Sequence, residues 1–174
     1  MDITPRRGAV LAAQRIFDRA DDVGDIADVE DMAEMIERAL RDAHCRDTLK
    51  HFKGPESVRE ALAEETDTLT VERFWVFALA PDLRVLGQRT FDGGDAHCIV
   101  DLVQMMRFVI GVGGATGLLV AHNHPSGNAN PSKQDHAITA RLRDGAAALG
   151  LTLLDHVIVA PTGQVYSFAT VNGR

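Results

Sequence analysis

The stretch that constrains this chain most is Leu118 to Asp135, LLVAHNHPSGNANPSKQD. An apolar run, Leu118 to Ala121, leads into His122-Asn123-His124, then a loop rich in Pro, Gly, Asn and Ser, then Ser132 and Asp135 where a helix should begin. In an extended segment residues i and i+2 point to one side, so His122 and His124 can aim both imidazoles at one point while Asn123 faces away. Ten residues separate His124 from Asp135, enough for a loop to return a carboxylate to that point. Two neutral imidazoles and one carboxylate suit Zn²⁺, and three protein ligands leave a fourth position for water, the catalytic arrangement. Plainer readings exist for each half. Ser132-x-x-Asp135 behind Pro131 is also a helix N-cap with an acidic first turn, and capping is compatible with metal chemistry. A His-x-His pair alone could be two loop histidines.

His122-x-His124-Pro125 followed by Ser132-x-x-Asp135 resembles the JAMM (MPN+) zinc metalloprotease motif. The fuller string His122 to Gly127, with Pro131-Ser132 and the later Leu154-Asp155-His156, resembles the RadC branch of that superfamily, over about Pro55 to Ala169. The resemblance implies metal ligands His122, His124 and Asp135, with Ser132 beside the site as a donor to a developing oxyanion. It also implies a non-ligating glutamate at the start of the first strand as proton shuttle. Glu72, in Val71-Glu72-Arg73-Phe74, matches that position; from the residues alone it could equally be a solvent-facing glutamate opening an edge strand. Asp155 and His156 are candidates to hold the outer nitrogens of the ligand histidines. As strand neighbours they face opposite sides, so one of the two at most is expected to look inward. His44, His51, His97 and His136 carry no partner pattern and are expected at the surface or in packing. One segment departs from the RadC pattern: Ala96-His97-Cys98-Ile99-Val100 stands where a His-Pro-Arg-Glu-like stretch is usual.

With 174 residues, the default is one domain plus an extension. The expected boundaries are an acidic helical extension over 1–54 and a JAMM/MPN+ (JAB) domain over 55–174. Helices are expected over Pro5–Ala20 and Asp28–His44. Asp18 to Glu37 holds nine acidic residues and a single basic one, Arg19. Dimerisation or partner binding is the role expected of this extension, giving a homodimer as one assembly. Residues 45–54 look like a linker, and Gly54-Pro55 opens a short helix. Strands are expected over Val71–Ala80, Arg84–Phe91, Leu118–Ala121, Leu151–Ala160 and Gln164–Phe168. One helix should bury Ile99, Leu102, Val103, Met106 and Val109 or Ile110. The next, from Ser132 to Leu149, should bury Ile138, Leu142 and Leu149 and stop at Gly150. This is an α/β fold: a three-layer α/β/α sandwich with a mixed sheet, similar to the cytidine-deaminase-like architecture of JAMM domains.

Composition narrows the function. Apolar runs are too short to span a bilayer and the N-terminus lacks a secretory core, so no membrane partner is expected. Cys45 and Cys98 are isolated, which fits a reducing cytoplasm. A net charge of −7 argues against a general nucleic-acid surface. A zinc deaminase would need a Cys-x-x-Cys pair, which the chain lacks, and His-Asn-His is not the dispersed HNH nuclease motif. The function expected is a zinc-dependent metallopeptidase or isopeptidase-like hydrolase acting on a protein or peptide. The alternatives are a metal-dependent hydrolase of a non-peptide substrate, or a non-enzymatic DNA-repair accessory or protein-interaction module.

Overall fold

A computed structural model describes residues 49–92 and 102–171. The two helices expected before residue 45, His44, both cysteines, and the segment around His97 lie outside the described residues.

Helix α1 (Pro55–Thr66) opens on Pro55 after Gly54. Strands β1 (Arg73–Leu79) and β2 (Val85–Asp92) form an antiparallel hairpin. Helix α2 (Leu102–Gly111), β3 (Gly117–Asn123), α3 (Lys133–Ala148), β4 (Thr152–Val159), β5 (Val165–Ser167) and the short α4 (Phe168–Val171) follow. The strands form one mixed sheet, ordered β2-β1-β3-β4-β5, in which β3 and β4 are parallel and the other pairs antiparallel. A parallel neighbour needs a crossover connection, and α3 supplies it.

Both sheet faces are covered, so β3 is buried at every position from Gly117 to Asn123. On one face Phe74, Val76, Ala78, Leu118 and Val120 pack against Met105, Met106 and Val109 of α2 and Leu142 and Ala146 of α3. On the other, Trp75 donates its indole N–H to Glu65 of α1, which also pairs with Arg73 at 2.6 Å. The result is the expected three-layer α/β/α sandwich.

Some details differ. The apolar stripe of α2 runs through Met105, Met106 and Val109, while Val103 and Ile110 are 58% exposed. The i, i+3, i+4, i+7 stripe from Leu102 leaves Val103 on the outer side. Leu149 is exposed as well, because α3 ends at Ala148 and the chain leaves helical phase there; Gly150 then takes φ 72°. Residues 49–53, read as linker, are pinned to the domain. Phe52 N–H donates to Leu83 O, Val85 N–H donates to Lys50 O, and Leu49 is buried. Among the described residues, no helix is long and apolar enough to cross a membrane.

Candidate metal centre

The site lies at the C-terminal end of β3. His122 belongs to the strand, where its ring stacks on Phe74 of β1 with centroids 4.7 Å apart. His124 follows the last strand residue, and its backbone N–H donates to Val159 O at 2.9 Å, keeping it beside β4. The loop to α3 begins with a turn that places Gly127 at φ 84°. Ser132 caps α3 in a full capping box: its Oγ accepts from Asp135 N–H at 3.1 Å, and its own N–H donates to Asp135 Oδ2 at 2.7 Å. The cap therefore turns the Asp135 carboxylate back toward β3.

The expected convergence is found. His122 Nε2 and His124 Nε2 are 3.0 Å apart, and they lie 3.1 and 3.4 Å from Asp135 Oδ1 and Oδ2. One ligand atom from each of the three residues falls within 4.8 Å of the others, and all three residues are buried.

The surrounding hydrogen bonds assign the tautomers. His124 Nδ1 meets the carbonyl of Asn128 at 2.8 Å, and a carbonyl only accepts, so Nδ1 carries the proton. His122 Nδ1 meets His156 Nε2 at 2.8 Å, and His156 Nδ1 meets Thr139 Oγ at 2.6 Å. The Thr139 hydroxyl donates to the backbone carbonyl of Asp135. With that proton committed, Thr139 Oγ accepts from His156 Nδ1–H, and His156 Nε2 accepts from His122 Nδ1–H. Both candidate ligand histidines thus turn Nε2 lone pairs toward the carboxylate. Two lone pairs and two carboxylate oxygens this close repel one another unless a cation sits among them. A metal ion fits that requirement; without one, a proton must serve. Accordingly His124 is pushed above its ordinary value, chiefly by its hydrogen bond to Asp135. His122 is pushed below its ordinary value by burial, which outweighs Asp135. Burial resists charge on Asp135, but its contacts with the His122 and His124 imidazoles overcome it and hold the carboxyl well below the usual range.

His156 is fully buried and lowered far below its ordinary value, first by burial and then by the charge of His122. Its ring stacks on Phe168 at 5.1 Å. Asp155 does not touch the ligands. It accepts from His156 N–H, Ser167 Oγ–H and Ala169 N–H, and so ties β4 to β5 and α4. Glu72 stands just before β1, exposed, yet its charge reaches both His122 and His124. The Ser132 hydroxyl donates to Asp135 Oδ2 at 2.6 Å. His51 is exposed, and His136 is exposed with its ring edge-on to Phe168.

Two participants were not foreseen. Thr139 lies one helical turn after Asp135, on the same face of α3, and that i+4 spacing could have flagged it. Asn123 does face away from the metal site, but its amide bonds the backbone of the Glu72 segment. A buried asparagine in an apolar strand was the available signal.

A family model described as a RadC-like JAB domain matches residues 52–173. A UPF0758 protein of Flavobacterium johnsoniae is 40% identical over 99 residues, covering 56% of this chain and 42% of that protein. A UPF0758 protein of Thermotoga maritima is 39% identical over 94 residues, 53% of this chain and 41% of its own length. A UPF0758 protein of Acinetobacter baumannii is 33% identical over 135 residues, covering 77% of this chain and 57% of that protein. The matched region thus spans about half the length of these curated relatives.

Proposed function

Since the chain belongs to the RadC-like JAB domain family, we propose that it is a zinc-dependent metallohydrolase that cleaves an amide bond in a protein or peptide. The observation that carries the reading is the convergence of two histidine lone pairs and one carboxylate on a single point. Two nitrogens and one oxygen suit zinc and leave an open position, whereas an all-oxygen set would suit magnesium or calcium. A zinc ion held by His122, His124 and Asp135 would supply Lewis-acid chemistry there, activating a carbonyl and lowering the pKa of water toward ~7.

The chain's own groups supply the rest. Glu72, whose charge reaches both imidazoles, accepts the proton of the attacking water and returns it to the leaving amine. Ser132 orients Asp135 through the capping box. With Asp135 engaged by a metal, the Ser132 hydroxyl is free to donate to the developing oxyanion, a contact worth roughly 3–4 kcal/mol when well placed. Phe74 against His122 and Phe168 against His156 keep both imidazoles from rotating.

The test is zinc content by elemental analysis of wild type beside His122→Ala, Asp135→Ala and Glu72→Ala. The expected result is near-stoichiometric zinc in wild type and Glu72→Ala, and its loss in the other two. A screen of peptide and ubiquitin-like-conjugate substrates follows, with Glu72→Ala inactive. Wild type that holds no zinc after reconstitution would sink the hydrolase reading and leave a binding module.

A further inference from the structure

Asn123 sits between the two candidate ligand histidines, yet its side chain leaves the metal site altogether. It is completely buried at the last position of β3. Its Oδ1 accepts from Arg73 N–H at 2.7 Å, and its Nδ2 donates to Val71 O at 3.0 Å. Those two backbone groups flank Glu72 on either side. The pairing of β1 with β3 runs from Leu79–Gly117 to Phe74–His122 and goes no further. Beyond it, the His124 N–H turns to β4 and bonds Val159 O. On the β3 side the backbone ladder thus stops at Phe74, while Arg73 keeps its pairing with Asp92 of β2, and one carboxamide takes the place of the β3 ladder beside Glu72. The amide offers a donor and an acceptor on one planar group, so it bonds both sides of the Glu72 peptide unit at once.

We propose that Asn123 is a positioning residue for Glu72. It acts as a two-pronged clamp that fixes the backbone of the proton-shuttling residue to the same strand end that carries His122 and His124. The assignment deepens the hydrolase reading above and rests on it. The geometry explains how an exposed glutamate just outside β1 has its flanking backbone fixed to the strand that carries His122. Glu65 anchors the same segment from α1, through Arg73 at 2.6 Å and Trp75 at 3.2 Å, but it grips side chains and leaves the Glu72 backbone to Asn123. A bidentate contact also resists rotation about the strand axis, which a single hydrogen bond would allow.

The test uses the full chain loaded with Co²⁺ as a paramagnetic probe and compares wild type with Asn123→Ala. Two signals are read by NMR: hydrogen exchange at the Arg73 amide, and the paramagnetic shift of the Glu72 side-chain carboxyl. The expected result is one cobalt bound in both proteins, Arg73 exchange at least tenfold faster in the variant, and a Glu72 shift that collapses toward an averaged value. Resonances of Val157 and Ile158 should stay put, because a general loss of structure would move them too. Asn123→Asp keeps the acceptor for Arg73 N–H and loses the donor to Val71 O, and it serves if the alanine variant does not fold; it should give a smaller change of the same sign. An unchanged Glu72 shift and unchanged Arg73 exchange would overturn the clamp while leaving the metal centre intact. Wild type that takes up no cobalt would overturn the metal reading and the proposal with it.

Discussion

His156 has the most exacting position of any residue in the site. It turns His122 so that one nitrogen faces the carboxylate, and Thr139 fixes the direction of the proton chain. His156→Phe keeps the ring that stacks on Phe168 but removes the acceptor for His122 Nδ1–H. Loss of such an outer partner typically weakens metal affinity by about 10–100-fold, and zinc competition against a chelating dye will measure it. Thr139→Val should weaken affinity less, since His156 stays in place. The same buried imidazoles set a pH dependence in the metal-free protein. His122 and His156 are lowered from 6.5 in the folded state. The unfolded chain therefore binds more protons than the folded one once pH drops below about 6.5, and their contribution to stability falls with pH. Each such proton costs about 1.4 kcal/mol per pH unit. His124, raised, works in the opposite sense: its contribution is present below 6.5 and fades above it. Asp155, raised by burial, works with His124, but from the lower starting value of a carboxyl. Across this range the two buried histidines therefore dominate, and urea unfolding in the presence of chelator should show stability declining from pH 6.5 to 5.5. A flat profile would mean that His122 or His156 is protonated in the fold.

Among the elements, α3 carries the most, because its first turn is part of the site and its body is part of the core. Ser132→Ala removes the cap and one of the bonds that aim Asp135. The cost to folding should be about 1 kcal/mol, read as a lower urea midpoint, with a loss of zinc affinity beyond that of a remote cap. Leu142→Ala, at a fully buried position of the same helix, should cost about 2–5 kcal/mol without altering the ligands. The junction of β3 and β4 is equally constrained. A Cβ on Gly117 would stand 2.8 Å from the backbone oxygen of Thr152, so Gly117→Ala must push the parallel strands apart. A loss of about 1–3 kcal/mol is expected from such overpacking. Just beyond, the register slips: Leu118 pairs with Leu153 but Leu119 pairs with Asp155, leaving Leu154 as an extra residue. That slip sets His156 opposite Val120, on the face of the sheet where His122 lies.

For the whole molecule, metal binding and folding should be linked, because the candidate ligands come from the end of β3 and the start of α3. Zinc at about 100 times its dissociation constant should stabilise the fold by about 2.7 kcal/mol. A thermal scan with zinc and with chelator will show the difference, which His122→Ala should abolish. By itself the sequence determined a good deal: strand, loop and capped helix in the order that brings His122, His124 and Asp135 together, the mixed sandwich, and Ser132 as cap. The site features are local, set by side-chain alternation, turn residues and capping chemistry over fewer than twenty residues, and the sandwich follows from the order of strands and helices along the chain. The inward stripe of α2 was read correctly at Leu102, Met106 and Val109, but Val103 was placed inside and Met105 was missed, since helical phase is ambiguous where neighbouring residues are all apolar. Three things were decided by tertiary structure alone. The one-residue slip at Leu154 chose His156 over Asp155, Thr139 closed the proton chain, and Asn123 bonded the backbone on both sides of Glu72 where the β1–β3 pairing ends. Each depends on contacts between segments 17 to 52 residues apart, and such contacts exist only once the sheet has assembled.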